Sequence, residues 1–540
     1  MLFIFTFFTF CLSQQITEGQ CGDKCTWTFT ESEKLLKFEG EGKINDYTVD
    51  KLPEWNELRD VVEKVQLSEG ITEIGNYNFY NFTQMIEIQT IEQIQRFGDY
   101  SFYHCKALKQ ITFSQNVLTI GKNAFNMCKT LTKVEIPGSV KKIEQAAFGS
   151  CFELEEIVLS EGIETIGNFA FAHCEKIKEV VVPTSVTTIE EGAFWWCSSL
   201  VSIKLSEAIT TLERATFGFC SSLKEIEIPK NVKTIESQMF FQCISLEKVT
   251  LPEGLTTINE FAFGYCLSLK DIVIPESVTT FGAGAFSDCV VLPKINLPQS
   301  LTTIPDQLFY NCRKLESIVI PKEVTSIGSG AFGECVLLET IELPEKMWNV
   351  FSKAFYGCSR LISVVFLGGA DYIAPYAFGE CTELVTITIT NNVRYIDEFA
   401  FAGCVQLKEF IYHGSQIPEC KNNNAFENTK VEIVDVDSVY TENHFCEIPV
   451  EEKKESSHVP TETSNNEKSE EEKDEKSEEK LDGKSEEEKD PSGLTSTDIA
   501  IICVAVIIGL TIFIICLIAI IYILKKKGIC GRNTSGYQDV

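Results

Sequence analysis

One strict period limits the fold of this chain more than any other feature. From Cys105 to Cys404 a cysteine recurs every 23 residues, without insertion or deletion. A phenylalanine stands three residues before each cysteine, from Phe102 to Phe401, and Phe79 extends that column by one repeat. A fixed period of about 20 to 50 residues is typical of solenoids, in which each repeat forms one turn. The cysteines of the column are Cys105, Cys128, Cys151, Cys174, Cys197, Cys220, Cys243, Cys266, Cys289, Cys312, Cys335, Cys358, Cys381 and Cys404.

Apolar side chains also recur at fixed distances after each cysteine, at positions +3, +6, +8, +12 and +15. Positions +6 and +8, which are Val134 and Ile136 in one turn, are two apart and therefore point to one face of a short strand. Proline at +9, such as Pro137, cannot donate to a strand ladder and predicts the end of that strand. Positions +12 and +15 are interpreted as the start of the return path. Stacked turns would pair the strands in parallel and merge their apolar faces into one core.

The repeat, A-F-x-x-C-x-x-L-x-x-I-x-I-P-x-x-V-x-x-I-G-x-x, resembles the 23-residue leucine-rich repeats of BspA-like surface antigens of bacteria and parasitic protists. The resemblance covers roughly residues 20–430. The predicted fold is a mainly β and irregular leucine-rich-repeat solenoid of about 15 or 16 turns with a parallel strand ladder. One C-terminal transmembrane helix is predicted in addition, which makes the chain similar to the protist type with a C-terminal anchor.

The ends of the chain predict secretion and membrane anchoring. Residues 1–13 are apolar but too short to cross a bilayer, which is typical of a signal peptide. Residues 499–524 are nearly all apolar and long enough to span a membrane, and Lys525 and the next two lysines place the tail in the cytoplasm. We therefore predict a single-pass type I protein of the plasma membrane, with the solenoid outside. The predicted segments are 1–13 signal peptide, 14–70 N-terminal cap, 71–430 solenoid, 431–449 C-terminal cap, 450–498 disordered acidic stalk, 499–524 transmembrane helix and 525–540 cytoplasmic tail.

Net charge excludes one class of partner. The chain carries a formal charge of −31 at pH 7. A protein this acidic should repel the phosphate backbone of nucleic acid and the surface of an anionic bilayer. We therefore predict no nucleic-acid partner.

Three interpretations of the cysteine column remain open. Thiols buried as small apolar groups fit one cysteine per turn. Disulfides between adjacent turns are disfavoured, because parallel Cβ vectors leave the Cβ atoms about 4.8 Å apart, beyond the usual ~3.8 Å. Metal binding is weakest, because a straight row of thiols is not tetrahedral. Outside the column, Cys21 with Cys25 and Cys420 with Cys446 are candidate disulfides of a secreted protein.

One lateral row of aromatic residues is the candidate ligand-contact surface. It occupies the position just before each cysteine and its neighbour, where many side chains should be exposed. The competing interpretation is that these rings pack on one another as a secondary core. The candidate residues are His173, Trp195, Trp196, Phe219, Phe241 and Tyr265. An alternative contact face is the outward strand column at +7, formed by Glu135, Val158, Val181, Lys204, Glu227, Thr250 and Val273.

Two short motifs are weaker candidates. Asn81 begins an N-glycosylation sequon, although the Phe82 that follows it should be buried. Tyr537 and Val540 fit a tyrosine-x-x-bulky sorting pattern in the tail.

No catalytic motif is found in the sequence, so we predict no enzyme activity, no metal and no cofactor. The five histidines form no metal-spaced pair, and no nucleophile elbow or phosphate-binding glycine loop occurs. The resemblance implies an adhesin or recognition protein that binds a protein or glycan on another cell or in the extracellular matrix. The alternatives are an endocytic or signalling receptor acting through the tail, and a passive surface coat antigen.

Overall fold

The computed structural model describes residues 17–89, 92–422 and 424–452. They form a parallel β-solenoid of about 16 turns with almost no helix, as the period predicts. The one helix in these residues is a short 3-10 helix, Glu54–Leu58. No helix among them is long and apolar enough to cross a membrane. The predicted signal peptide, transmembrane helix, tail and all but the first residues of the stalk lie outside the described residues.

A first ladder contains the strand predicted at +5 to +8. Within each group of paired strands, equivalent residues of successive turns pair in parallel, one full repeat apart, as Val134 does with Ile157. The strands on this side fall into several separate sheets. Burial alternates along each strand, with position +6 inside and positions +5 and +7 outside. The strands of this ladder are Leu35–Gly40, Lys64–Leu67, Glu87–Gln89, Lys133–Ile136, Glu156–Leu159, Glu179–Val181, Ser202–Lys204, Glu225–Glu227, Lys248–Thr250, Asp271–Ile272, Thr340–Leu343, Ser363–Phe366, Thr386–Ile389, Glu409–Tyr412, Val434–Val436 and Ile448–Glu452.

A second parallel ladder occupies the segment interpreted from sequence as the return path. Its strands are mostly two residues long, and their second residue, at +15, is buried, as Ile143 is beside Ile166. The carbonyl of Pro137 accepts the N–H of Val140 (3.1 Å) and so turns the chain between the two ladders. The strands of this ladder are Gly42–Lys43, Ile71–Ile74, Arg96–Phe97, Thr119–Ile120, Lys142–Ile143, Thr165–Ile166, Thr188–Ile189, Thr211–Leu212, Thr234–Ile235, Thr257–Ile258, Thr280–Phe281, Thr303–Ile304, Ser326–Ile327, Asn349–Val350, Ala370–Ile373, Val393–Ile396 and Glu419–Cys420.

The third side of each turn is the Ala-Phe segment that leads to the cysteine. It has no strand, but its N–H groups still donate to the next turn. The N–H of Phe125 donates to the carbonyl of Ala147, and that of Met127 to Gly149, both at 2.8 Å. All three sides of the coil are therefore joined to their neighbours by backbone hydrogen bonds.

Antiparallel strands cover both ends of the first ladder. Glu18–Gly22 and Cys25–Thr30 form a hairpin that pairs with Leu35–Gly40, so the ladder has no bare edge there. At the other end, His444–Phe445 pairs antiparallel with Ile448–Glu452. The parallel pairing thus starts before residue 71 and continues past residue 430, into the segments assigned from sequence to the caps.

The core is a stack of repeated side chains. The phenylalanine rings from Phe102 to Phe401 lie face to face, with centroids 5.0 to 6.0 Å apart. Phe426 comes two residues later than the period predicts, yet its ring stacks on Phe401 at 5.2 Å. The extra residues are therefore accommodated in the intervening chain, and the ring column continues into the last turn.

Candidate functional site

The aromatic strip is defined here as His173, Trp195, Trp196, Phe219, Phe241 and Tyr265. It lies on the third side of the coil, where the residue before each cysteine has a left-handed backbone conformation. The φ angle is +61° at Trp196 and at Phe219, and +58° at Tyr265. Such a conformation costs a bulky residue of order 1–3 kcal/mol and persists only where the surroundings fix it. Here the N–H of Trp196 donates to Gly218 at 2.8 Å, and that of Phe219 to Phe241 at 2.7 Å.

Three rings of the strip form a face-to-face stack across consecutive turns. The His173 and Trp196 centroids are 5.5 Å apart with planes at 21°. Trp196 and Phe219 are 4.2 Å apart at 12°. Burial lowers the pKa of His173, against a smaller opposing effect of Glu175, so the imidazole is neutral at pH 7. The stack is therefore uncharged.

The other rings pack on this stack edge to face. Trp195 lies 4.7 Å from Phe219 at 68°, and Phe241 lies 5.6 Å from Phe219 at 69°. Tyr265 continues the row, 5.4 Å from Phe241 at 75°. Trp196 and Tyr265 nevertheless stay 38% and 39% exposed. Both interpretations of the sequence thus describe part of the strip: the rings pack on one another, and the packed row still presents aromatic surface to solvent.

Glycines make room for the rings at the position two before each cysteine. A Cβ added at Gly218 would lie 2.2 Å from Cζ3 of Trp195, and one at Gly264 would lie 3.1 Å from Cδ2 of Phe241. Large and small residues therefore alternate along this column over several turns. This alternation is visible in the sequence and was a usable signal for packed rings. The column reads Trp195, Gly218, Phe241, Gly264, Ser287, Tyr310, Gly333, Tyr356 and Gly379.

The alternative contact face, the outward strand column, is exposed throughout its seven candidate residues. Val181 and Val273 are its most open apolar members, at 64% and 69%. Depressions of about 490, 480 and 670 Å³ follow this face. Charged and hydroxyl side chains line them together with the valines, including Lys204, Glu227 and Thr250. No ring stacking fixes these side chains, in contrast to the aromatic strip.

The fourteen cysteines of the column are free thiols and fully buried. Each Sγ donates to the backbone carbonyl of a phenylalanine 26 residues earlier, at 3.0 to 3.3 Å, as Cys243 does to Phe217. Burial raises the pKa of Cys243 well above 9.0, and the neighbouring Cys266 adds to that effect. The thiols are therefore hydrogen-bond donors that link each turn to the previous one, a role that the spacing alone did not indicate.

The structure joins both cysteine pairs that were singled out outside the column. Cys21 and Cys25 are disulfide-bonded within the first hairpin, with Cα atoms 5.1 Å apart. Cys420 and Cys446 are bonded near the other end, with Cα atoms 5.4 Å apart. Each bond therefore lies in a terminal part of the solenoid, where fewer neighbouring turns hold the chain.

The glycosylation sequon lies in the described part of the chain, and the sorting motif does not. Asn81 is partly exposed at φ +64°, and its Oδ1 lies 2.7 Å from Nδ1 of His104, while Phe82 is fully buried. The sorting motif, Tyr537 and Val540, lies outside the described residues. Within residues 17–89, 92–422 and 424–452, no group of three or more His, Cys, Asp or Glu side chains could hold a metal ion.

A family model described as BspA type leucine rich repeat region (6 copies) matches residues 60–155, 141–269, 187–316 and 302–432. These overlapping matches cover nearly all of the solenoid. No curated protein matches the chain significantly.

The chain is also similar to solved structures of leucine-rich-repeat proteins. A protein from Bacteroides ovatus is 25% identical, with 80% of this chain and 99% of that chain covered and a TM-score of 0.54. A leucine rich cell surface protein from Faecalibacterium prausnitzii is 20% identical, with 77% and 94% covered and a TM-score of 0.35. A leucine-rich repeat protein from Eubacterium ventriosum is 22% identical, with 72% and 94% covered and a TM-score of 0.37.

Proposed function

Because the chain belongs to the BspA-type leucine-rich-repeat family, we propose that it is a cell-surface adhesin, a recognition protein whose solenoid binds a ligand on another cell or in the extracellular matrix. The predicted signal peptide and membrane span support display as a single-pass type I protein of the plasma membrane. One observation carries the proposal. The aromatic strip is fixed by hydrogen bonds between turns, yet Trp196 and Tyr265 remain 38% and 39% exposed.

The ligand class follows from which parts of the rings are open. In the stack of His173, Trp196 and Phe219, both faces of Trp196 are covered by the neighbouring rings, so its exposed surface is mainly its edge. A sugar ring needs an open aromatic face to pack on, whereas apolar side chains of a protein also pack on ring edges. Rigid tryptophan and tyrosine side chains are the usual energetic centres of protein interfaces. We therefore favour a protein ligand over a glycan.

The first experiment is a binding assay with residues 14–456, which include the last strand, Ile448–Glu452, and lie within one compact unit of the chain, 1–456. The fragment is applied to cells and to immobilised matrix components. Protease treatment of the target should abolish binding, and glycosidase treatment should not. The reverse result would assign a glycan ligand. Absence of binding to every target would favour a passive coat antigen.

Paired variants identify the contact surface. Trp196→Asn with Tyr265→Asn removes both exposed rings, and asparagine tolerates the left-handed backbone at these positions. Binding should weaken at least about 30-fold, the equivalent of ~2 kcal/mol. The matched control is Val181→Thr with Val273→Thr, which changes the most open apolar residues among the seven candidates of the strand face. If only the control loses binding, the strand face is the contact surface.

The tail supports a second candidate function, an endocytic or signalling receptor. Tyr537 and Val540 form a tyrosine-x-x-bulky pattern on the predicted cytoplasmic side. Deletion of residues 528–540 would test it in cells that display the full chain. Loss of internalisation with ligand binding intact would favour an endocytic receptor, and unchanged internalisation would contradict the endocytic role.

A further inference from the structure

Four tyrosines form a separate cluster near the N-terminal end of the same side of the coil. This tyrosine quartet consists of Tyr77, Tyr80, Tyr100 and Tyr103. Tyr77 stacks on Tyr100 with centroids 4.9 Å apart and planes at 11°, and Tyr80 stacks on Tyr103 at 5.2 Å and 10°. The two stacks touch each other, at 5.5 Å and 5.6 Å between centroids. Phenol rings of adjacent turns are thus held face to face in two parallel pairs.

The quartet is also accessible, unlike the most oxidisable groups of the solenoid. All four tyrosines are partly exposed. The fourteen column thiols are fully buried, and burial raises the pKa of thiols such as Cys243 well above 9.0, so that these stay protonated. Thiols react as thiolates, so these should be inert. An oxidant arriving from solvent therefore meets the tyrosine rings before the thiols. Tyr103 additionally donates its hydroxyl to Sδ of Met127 at 3.4 Å.

We propose that the tyrosine quartet is an oxidative cross-linking site, at which dityrosine bonds join Tyr77 to Tyr100 and Tyr80 to Tyr103. The co-reactants are hydrogen peroxide and a haem peroxidase. Each phenol loses one electron and its hydroxyl proton, and the two radicals form a carbon–carbon bond between ring carbons ortho to oxygen. The hydrogens on those two carbons then move to the oxygens, which restores both phenols. In sum, two tyrosines and one hydrogen peroxide give one dityrosine and two waters.

The pairing explains why coupling should occur here and not elsewhere on the same side. Tyr356 and Tyr376 are 6.3 Å apart and nearly perpendicular, at 77°. Tyr376 instead stacks on Phe399, at 5.1 Å and 14°, which has no hydroxyl and forms no phenoxyl radical. A bond within the quartet would join two consecutive turns covalently next to the N-terminal cap. The cross-link would therefore close the end of the solenoid against opening.

Trypsin digestion gives a direct readout. Cleavage after Lys64, Arg96 and Lys106 places Tyr77 and Tyr80 in peptide 65–96, and Tyr100 and Tyr103 in peptide 97–106. After limited peroxidase treatment of the full-length protein, we expect a linked species with the summed peptide mass less two hydrogens per bond. Its yield should not change on dilution, because the partners belong to one molecule. Loss of two hydrogens within peptide 65–96 alone would overturn the proposal, because Tyr77 would then be joined to Tyr80 and not to its stacked partner.

Two controls test the role of the fold. The variant Tyr100→Phe with Tyr103→Phe keeps the rings but should lose the linked species, whereas Tyr376→Phe should leave its yield unchanged. Treatment in concentrated urea should reduce the yield severalfold while free tyrosine in the same tube still couples. Equal yields in native and unfolded protein, or a link between Tyr356 and Tyr376 at equal yield, would contradict the proposal.

Discussion

The cysteine column offers the sharpest test of the packing described above. Cys243 is fully buried, and its Sγ donates to the Phe217 carbonyl at 3.1 Å. Cys243→Ala removes one sulfur, comparable to a methylene and ~0.8 kcal/mol of transfer free energy, and leaves a small cavity. It also removes a hydrogen bond with a net contribution of ~0.5–1.5 kcal/mol. The Phe217 carbonyl keeps the N–H of Cys220, at 3.1 Å, so no acceptor is left unpaired.

These contributions predict a loss of about 1.5–2.5 kcal/mol in the free energy of unfolding for Cys243→Ala. Cys243→Ser keeps a donor at the same place and should lose only about 1 kcal/mol. Cys243→Asp buries an unpaired carboxylate and should lose several kcal/mol. Urea denaturation of residues 14–456 would measure the order, and hydrogen exchange would locate the effect in the turns around residue 243. An alanine variant as stable as the parent, or more stable than the serine variant, would refute the donor role.

The other predictions concern separate parts of the molecule. Alkylation of denatured, unreduced protein should label all fourteen column cysteines, whereas native protein at pH 8 should label almost none; mass spectrometry showing mostly paired cysteines would contradict this. Gly218→Ala should displace the Trp195 ring and lower the free energy of unfolding by ~1–3 kcal/mol. The Cβ added by Gly254→Ala would contact only the flexible end of a lysine, so this variant should change tryptophan fluorescence and urea denaturation very little. Burial lowers the pKa of His173 in the folded protein, so the neutral imidazole contributes its full stability at pH values above the ordinary pKa of 6.5. This contribution is lost as the pH falls through the lowered pKa. His173→Phe should therefore make the free energy of unfolding less dependent on pH below 6.5. Deletion of residues 453–490 should leave surface display intact but weaken cell attachment. The predicted stalk, ~35–42 Å in root-mean-square length, would then no longer hold the solenoid away from the membrane. If the deletion variant attaches as well as the parent, the stalk does not serve to present the solenoid.

The sequence predicted the repeated features and missed those that depend on contacts between turns. The period located the turns, and alternation at Val134 and Ile136 with Pro137 after them predicted the first ladder. The second ladder was missed because a two-residue strand such as Lys142–Ile143 is too short to show alternation. The thiol donation was missed because it depends on how far each turn is offset from the previous one. A period shows which residues are equivalent, but not which atoms of adjacent turns meet.

The candidate strip was located from sequence for a similar reason. Its residues share one column, so exposed neighbours such as Trp196 and Tyr265 could be grouped before any coordinates were known. Their stacking could not be predicted, because it depends on the left-handed backbone at those positions and on the space that Gly218 leaves for Trp195. The disulfide partners Cys420 and Cys446 stood out because they leave the column.

The constant length of the repeat also determines how such a chain could change its length. Between Cys105 and Cys404 every turn repeats the same ring stacking and the same thiol donation between neighbouring turns. A block of one whole repeat can therefore be duplicated or removed and still leave matching surfaces on both sides, whereas a block of another length would put the columns out of phase. Each such exchange would move the far end by ~4.8 Å and leave both caps unchanged. The length of the solenoid can therefore change in steps of one repeat without any change to its two ends.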